Sequence, residues 1–228
     1  MTRRHFAVIG LGRFGEAVAT TLVELGQDVL GIDTDDAKVN ELSDRVPHLL
    51  AMNAIDSRAL RDAGVGDVDV AVISIGANIE ASLLIVMTVK ELGVPFIMAK
   101  ATTAVHGRIL EKIGVDRVVY PEREVATRMA HSLVVPNVLD YIGLSKDFSI
   151  VEIPAPAPFV GKSLRTLDLR AKHGLTLIAI KRGAGTASGE VTTVAPSADE
   201  LIKSGDTLAV IGSNERLMDI ENLVGKKA

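Results

Sequence analysis

A loop of the form G-x-G-x-x-G, Gly10-Leu11-Gly12-Arg13-Phe14-Gly15, follows directly on the apolar run Phe6-Ala7-Val8-Ile9. A second apolar run, Val29-Leu30-Gly31-Ile32, closes on Asp33. Strand, glycine turn, helix, strand and acid in that order form the opening of a dinucleotide-binding unit. Gly10 permits a sharp turn out of the strand. Gly12 lets the backbone approach a pyrophosphate, and Gly15 lets the following helix pack close to the sheet. The N–H groups that open this helix, predicted from about Phe14 to Leu25, point at the phosphates with the helix dipole behind them. Asp33 would accept from the ribose hydroxyls. An unmodified 2′-OH suits its carboxylate, so NAD(H) or an adenosine nucleotide fits better than NADP.

A length of 228 residues allows one large domain or one medium plus one small, and 47% hydrophobic residues are ample for a core. With only 3% aromatics that core is aliphatic. A net charge of −4 argues against general affinity for nucleic acid, and the lack of cysteine excludes disulfides, thiolate metal sites and thiol nucleophiles. The chain enters a strand directly after Met1-Thr2-Arg3-Arg4-His5, which leaves no room for a signal peptide. The most apolar stretch, 68–89, is interrupted by Asp69, Gly76, Asn78 and Glu80, and reads as strand, loop and helix, not as a membrane span. A cytoplasmic protein is expected.

Strands and helices alternate with short connections, which predicts an α/β fold with a Rossmann-like doubly wound parallel sheet. Strands are expected at 6–9, 29–32, 49–51, 70–74, 96–100 and 118–120. Helices are expected at 35–45, from after Asp56 to near Gly64, at 79–92, 104–113 and from 123 to about 139, the last broken by Pro136. Beyond this the pattern changes. Pro154-Ala155-Pro156-Ala157-Pro158 reads as a stiff turn or linker that joins neither a helix nor a central strand. A strand at 148–153, a short helix at 162–167, strands at 175–180 and 208–211, a hairpin loop at 183–189 and a final helix at 215–223 make a small C-terminal α+β lobe. The division is drawn as 1–140 and 141–228.

Ligands of a doubly wound sheet sit at the carboxyl ends of its strands. Those ends carry Asp33, Asn53-Ala54, Ile75, Gly76 and Asn78, Lys100 and Glu122. Asn53 could read an adenine edge. Lys100 either offsets phosphate charge or is a plain surface lysine. Arg13, inside the glycine loop, is either a solvated loop residue or a charge-assisted partner for a terminal phosphate, of little use to hydride transfer. Glu122 is either a first-turn helix acid or a ligand of a divalent cation, since a carboxylate beside a triphosphate needs a cation between them. His5, His48, His106, His131 and His173 show no metal-ligand spacing, and no Tyr-x-x-x-Lys pair, nucleophile elbow or Walker loop is present. A small NAD-dependent oxidoreductase with its substrate near His106 or Lys100 remains the alternative. A nucleotide-responsive scaffold or transcriptional regulator lacks the basic recognition helix that DNA binding would need.

The run Phe6 to Gly15 resembles the start of the regulator of potassium conductance (RCK or KTN) domain of the Ktr and Trk potassium-uptake systems. Ile75-Gly76-Ala77-Asn78, the segments 89–95 and 110–117, and Pro121-Glu122-Arg123-Glu124 followed by 137–142 are similar to later parts of that domain and to its crossover. The segment 163–170 is similar to the opening of its C-terminal (RCK_C-like) lobe. The type most resembled is the KtrA-type (TrkA-like) cytosolic subunit. The resemblance implies a regulatory subunit and no enzyme: a homo-octameric ring beneath a membrane potassium transporter of KtrB or TrkH type, gated by ATP, ADP or NAD(H). It assigns Gly10, Gly12, Phe14 and Gly15 to the phosphate loop, Asp33 to ribose, and Asn53 and Ala54 to adenine. Arg13 would reach the γ-phosphate, and Glu122 would hold a cation, Mg²⁺ or Ca²⁺, between paired nucleotides. A cyclic di-AMP site would involve Leu169, Arg170, Ala171, His173 and Pro196.

Overall fold

The computed structural model describes residues 3–134, 139–183 and 191–224. The chain divides into two compact units, Met1–Pro121 and Glu122–Ala228. The first holds six parallel strands: β1 (His5–Ile9), β2 (Asp28–Asp33), β3 (His48–Ala51), β4 (Val70–Ile73), β5 (Phe96–Lys100) and β6 (Arg117–Val119). Their order is β3-β2-β1-β4-β5-β6, so the direction of winding reverses between β1 and β4. All four residues of β4 are buried, as expected of a central parallel strand covered on both faces. The core is aliphatic, with Ile9, Ile32, Ile73, Ile85 and Ile97 in one cluster and Val8, Leu11, Val29 and Leu42 in another.

Five helices link these strands: α1 (Arg13–Glu24), α2 (Asp36–Leu42), α3 (Ser57–Asp62), α4 (Ile79–Glu91) and α5 (Ala104–Lys112). Four of them start on a side chain that accepts from first-turn amides. These caps are Asp35, Asp56, Asn78 and Thr103. The exception is α1, whose cap is Gly12 and has no side chain to offer. Its opening N–H groups are therefore left to other partners.

The second unit begins with α6 (Pro121–Val134) and builds a five-stranded antiparallel sheet from β7 (Asp140–Gly143), β8 (Phe148–Pro154), β9 (Thr176–Arg182), β10 (Val191–Val194) and β11 (Thr207–Ser213), in the order β10-β9-β11-β8-β7. Short helices α7 (Leu164–Leu167) and α8 (Leu169–His173) precede β9, and α9 (Asn214–Val224) follows β11. Arg182 is held by Asp206, through Nε to Oδ1 at 2.9 Å and Nη2 to Oδ2 at 3.1 Å, and by Glu200 at 2.7 Å. The α/β class and the small α+β lobe are as the sequence pattern requires.

Three details differ from the expectation. The strand β7 was not anticipated. Pro154 is not a linker residue but the last residue of β8, opposite Thr207; β7 pairs only as far as Glu152, so a residue without an N–H is tolerated there. The helix expected at 162–167 is followed by a second, α8, the two meeting at Asp168 in left-handed conformation with φ 45°. The expected break at Pro136 and the hairpin loop beyond Gly183 lie outside the described residues. No helix among the described residues is long and apolar enough to cross a membrane.

Candidate functional site

A cavity of about 560 Å³ opens at the carboxyl ends of β1, β2, β4 and β5, at the point where the winding reverses. Gly10, Gly12, Asp33, Asn53, Ala54, Ile75, Gly76, Asn78 and Lys100 all line it. Ile9, Ile32 and Ile85 add aliphatic surface to its wall, so it combines an apolar part with polar groups.

The glycine loop is held from below. Gly10 has φ 94°, and its amide donates to Ile32 O at 2.7 Å, tying the turn to β2. Leu11 is 2% exposed, so the loop carries a side chain of the core. The Leu11 amide donates to Asp33 Oδ2 at 2.6 Å, and the Asp35 amide donates to Asp33 Oδ1 at 3.0 Å. A Cβ on Gly15 would overlap the Gly10 carbonyl oxygen, whereas one on Gly12 would meet nothing within 4 Å. Gly15 thus serves the contact between α1 and the loop, and Gly12 keeps the open side clear.

Other expected residues are placed differently. Arg13 is exposed at the first position of α1 and does not line the cavity. Phe14 is half-buried beside it, and Lys100 Nζ lies 5.8 Å from its ring centroid. Asn53 Oδ1 accepts from the Ile55 amide at 3.1 Å, which leaves its NH₂ as the group to offer a ligand. Asn78 Oδ1 accepts from the Ala81 amide at 3.0 Å, so this side chain caps α4. Glu122 belongs to the second unit, in the first turn of α6, where an acid suits the helix dipole. In the same unit Arg170 and Ala171 are exposed on α8, Leu169 is buried in the core, His173 packs on Phe159 at 5.9 Å, and Pro196 is half-buried.

Lys38, Thr34, Met52 and Thr102 also line the cavity, though nothing in the sequence singled them out. Lys38 Nζ stands 3.9 Å from Asp33 Oδ2 and 3.9 Å from Asp35 Oδ2. The signal, visible only once Asp35 is known to cap α2, is a lysine three residues on. His106 is 0% exposed, neither ring nitrogen has a hydrogen-bond partner, and it does not line the cavity. Burial pushes its pKa down. A wider cleft of about 650 Å³ at the amino ends of β1 to β3 is lined by His5, Asp28, His48 and Asp67 and by none of the expected site residues.

Residues 6–121 match the TrkA-N domain and 148–225 the TrkA-C domain. The Ktr system potassium uptake protein C of Bacillus subtilis (strain 168) is 43% identical over 92% of this chain and 93% of its own. This chain belongs to the Ktr potassium-uptake family. The Ktr system potassium uptake protein A of the same organism is 37% identical over 96% of each chain. Among solved structures, the GsuK channel bound to NAD superposes on the whole of this Ktr chain with a TM-score of 0.62 at 19% identity, across 40% of that channel chain, and so shares its fold. The resemblance drawn from the glycine loop and the later segments is thereby met across both domains.

Proposed function

We propose that this Ktr chain is a cytosolic nucleotide-sensing regulatory subunit that gates a membrane potassium transporter of KtrB or TrkH type through binding of ATP, ADP or NAD(H). The observation that carries the reading is the uncapped N-terminus of α1 above the cavity that Asp33 borders. Its amides suit phosphates, the carboxylate suits a ribose, and the apolar part suits a base. The named NAD of the GsuK channel structure is consistent with a dinucleotide in this fold. A ligand that only regulates needs different affinities for two shapes of the protein and no catalytic residue. The titratable groups on the cavity wall are Asp33, Lys38 and Lys100; of the two groups the oxidoreductase reading names, Lys100 lines the cavity and the buried His106 does not.

In this reading 1–140 is the nucleotide domain with its crossover helix, and 141–228 is the regulatory lobe. The chain works as an octameric ring at the inner face of the membrane. Arg13 meets the γ-phosphate and Glu122 a divalent cation, and Leu169, Arg170, Ala171, His173 and Pro196 take part in binding cyclic di-AMP. Calorimetry of ATP and ADP with and without Mg²⁺, for wild type and Arg13→Ala, tests it. The substitution is expected to weaken ATP more than ADP. Equal losses remove the γ-phosphate role, and no binding of ATP, ADP or NADH by the wild type removes the proposed function.

A further inference from the structure

We infer that Lys38 reads the ribose: with Asp33 it holds one sugar hydroxyl, the ammonium donating to the oxygen and the carboxylate accepting from the O–H. The inference rests on the reading of the cavity as an adenine-nucleotide site, and it names the sugar as an unmodified ribose. Lys38 is the third residue of α2 and lines the cavity with Asp33 and Thr34. Its Nζ stands 3.9 Å from Asp33 Oδ2 and 3.9 Å from Asp35 Oδ2. Both are ion-pair distances, too long for a hydrogen bond. Among the described residues the N–H donors of this ammonium are therefore not committed to a hydrogen bond. The two acids, by contrast, are fastened by backbone amides. Asp33 accepts from Leu11 at 2.6 Å and from Asp35 at 3.0 Å, and Asp35 Oδ1 accepts from Ala37 at 3.0 Å.

The spacing decides what fits between them. One oxygen set beside Nζ and Asp33 Oδ2 can lie about 2.8 Å from both, the two directions meeting near a right angle. That atom must accept from an ammonium, which only donates, and donate to a carboxylate, which only accepts. A hydroxyl does both. An ether or carbonyl oxygen has no proton for Asp33, and hydrogen in place of the hydroxyl serves neither partner. A phosphate oxygen would gain Lys38 but meet Asp33 and Asp35, two carboxylates against one ammonium, so like charge turns it away. Each Asp33 oxygen already holds one amide and keeps a further lone pair for the hydroxyl. The pair thus selects a free hydroxyl over both its absence and its phosphate ester.

The test is competition against a fluorescent ADP derivative labelled away from the ribose, on the full chain of wild type, Lys38→Gln and Lys38→Met. The competitors are ADP, 2′-deoxy-ADP, 3′-deoxy-ADP, AMP and adenosine 2′,5′-bisphosphate. Loss of the hydrogen bond predicts an ADP affinity about three- to tenfold weaker for Lys38→Met. Lys38→Gln keeps an N–H donor and is expected to lose less. One of the two deoxy analogues should bind wild type more weakly than ADP does, yet bind wild type and Lys38→Met alike, because the hydroxyl that Lys38 reads is missing from it. AMP should bind wild type more tightly than its 2′-phosphate does. An unchanged ADP affinity in Lys38→Met, or equal losses for ADP and both deoxy analogues, would overturn the inference. Tighter binding of the bisphosphate than of AMP would give Lys38 to a phosphate and overturn it too. Should Lys38→Met not fold, Lys38→Gln carries the same comparison. Failure of wild type to bind ADP at all would instead refute the nucleotide site.

Discussion

The Leu11 amide donates to Asp33 Oδ2 at 2.6 Å, so the acid that closes β2 is fastened to the glycine loop before any ligand arrives. The other carboxylate oxygen holds the Asp35 amide at 3.0 Å, at the cap of α2. One side chain thus joins the glycine loop to the cap of α2.

Replacing that carboxylate should cost stability as well as binding. Asp33→Ala leaves two amides without their charged acceptor and is expected to lower unfolding free energy by about 2–3 kcal/mol. Asp33→Asn retains one acceptor and turns an NH₂ toward the other amide, so its loss should be intermediate. Urea titration of the three proteins measures this, and an Asn variant as stable as wild type would contradict it.

Gly15 and Gly12 should fail in opposite ways. Gly15→Ala drives a Cβ into the Gly10 carbonyl and should destabilise by about 3 kcal/mol. Gly12→Ala meets nothing within 4 Å and should melt within about 0.5 kcal/mol of wild type while losing affinity for ADP. Thermal melts with and without ADP separate the two effects.

Asn78 tests whether lining the cavity means touching the ligand. As the cap of α4 it is expected to cost about 1 kcal/mol when changed to Ala, recovered by Asp or Ser, with ADP affinity little altered. An affinity loss that Asp and Ser do not restore would make Asn78 a ligand contact.

His106 gives the fold a pH dependence of known sign. Its pKa is lowered by burial from 6.5, so the folded chain resists a proton that the unfolded chain accepts. The stability His106 contributes is complete above pH 6.5 and is lost as pH falls below it, at up to about 1.4 kcal/mol per pH unit until the folded form also titrates. Urea midpoints from pH 8 to pH 5 for wild type and His106→Phe should diverge in that window, the variant being flatter.

In the second unit, Arg182→Met strands Asp206, whose side chain is 2% exposed. About 3 kcal/mol should be lost, because a buried carboxylate without its cation is costly. The double variant Arg182→Met/Asp206→Leu should recover much of it, and equal stability of single and double variants would speak against a buried charge as the cause.

What could be read from the chain was local. The glycine loop, the buried run of β4 and the acid at the end of β2 are each defined by neighbours in sequence, and nine expected residues converge on one cavity. Contacts between distant segments were not legible. Lys38 meets Asp33 only because α2 starts at its Asp35 cap, and Arg182 meets Asp206 across 24 residues. The strand β7 escaped notice because Asp140-Tyr141-Ile142-Gly143 has a short, mixed pattern and is a strand by virtue of pairing with β8. Asn78 stands directly before the helix expected at 79–92, a cap position, and its side chain caps α4 as well as lining the cavity.

Leu11, buried within the ligand loop, bears on how this site discriminates. A loop anchored in the core takes its shape during folding, so association carries no entropy of loop ordering, and the ligand meets a surface already formed. Such preorganisation favours whatever the loop contacts in common among adenine nucleotides. The task of telling one from another then falls to groups outside the anchor, and in the proposed function Arg13, exposed on the first turn of α1, is such a group.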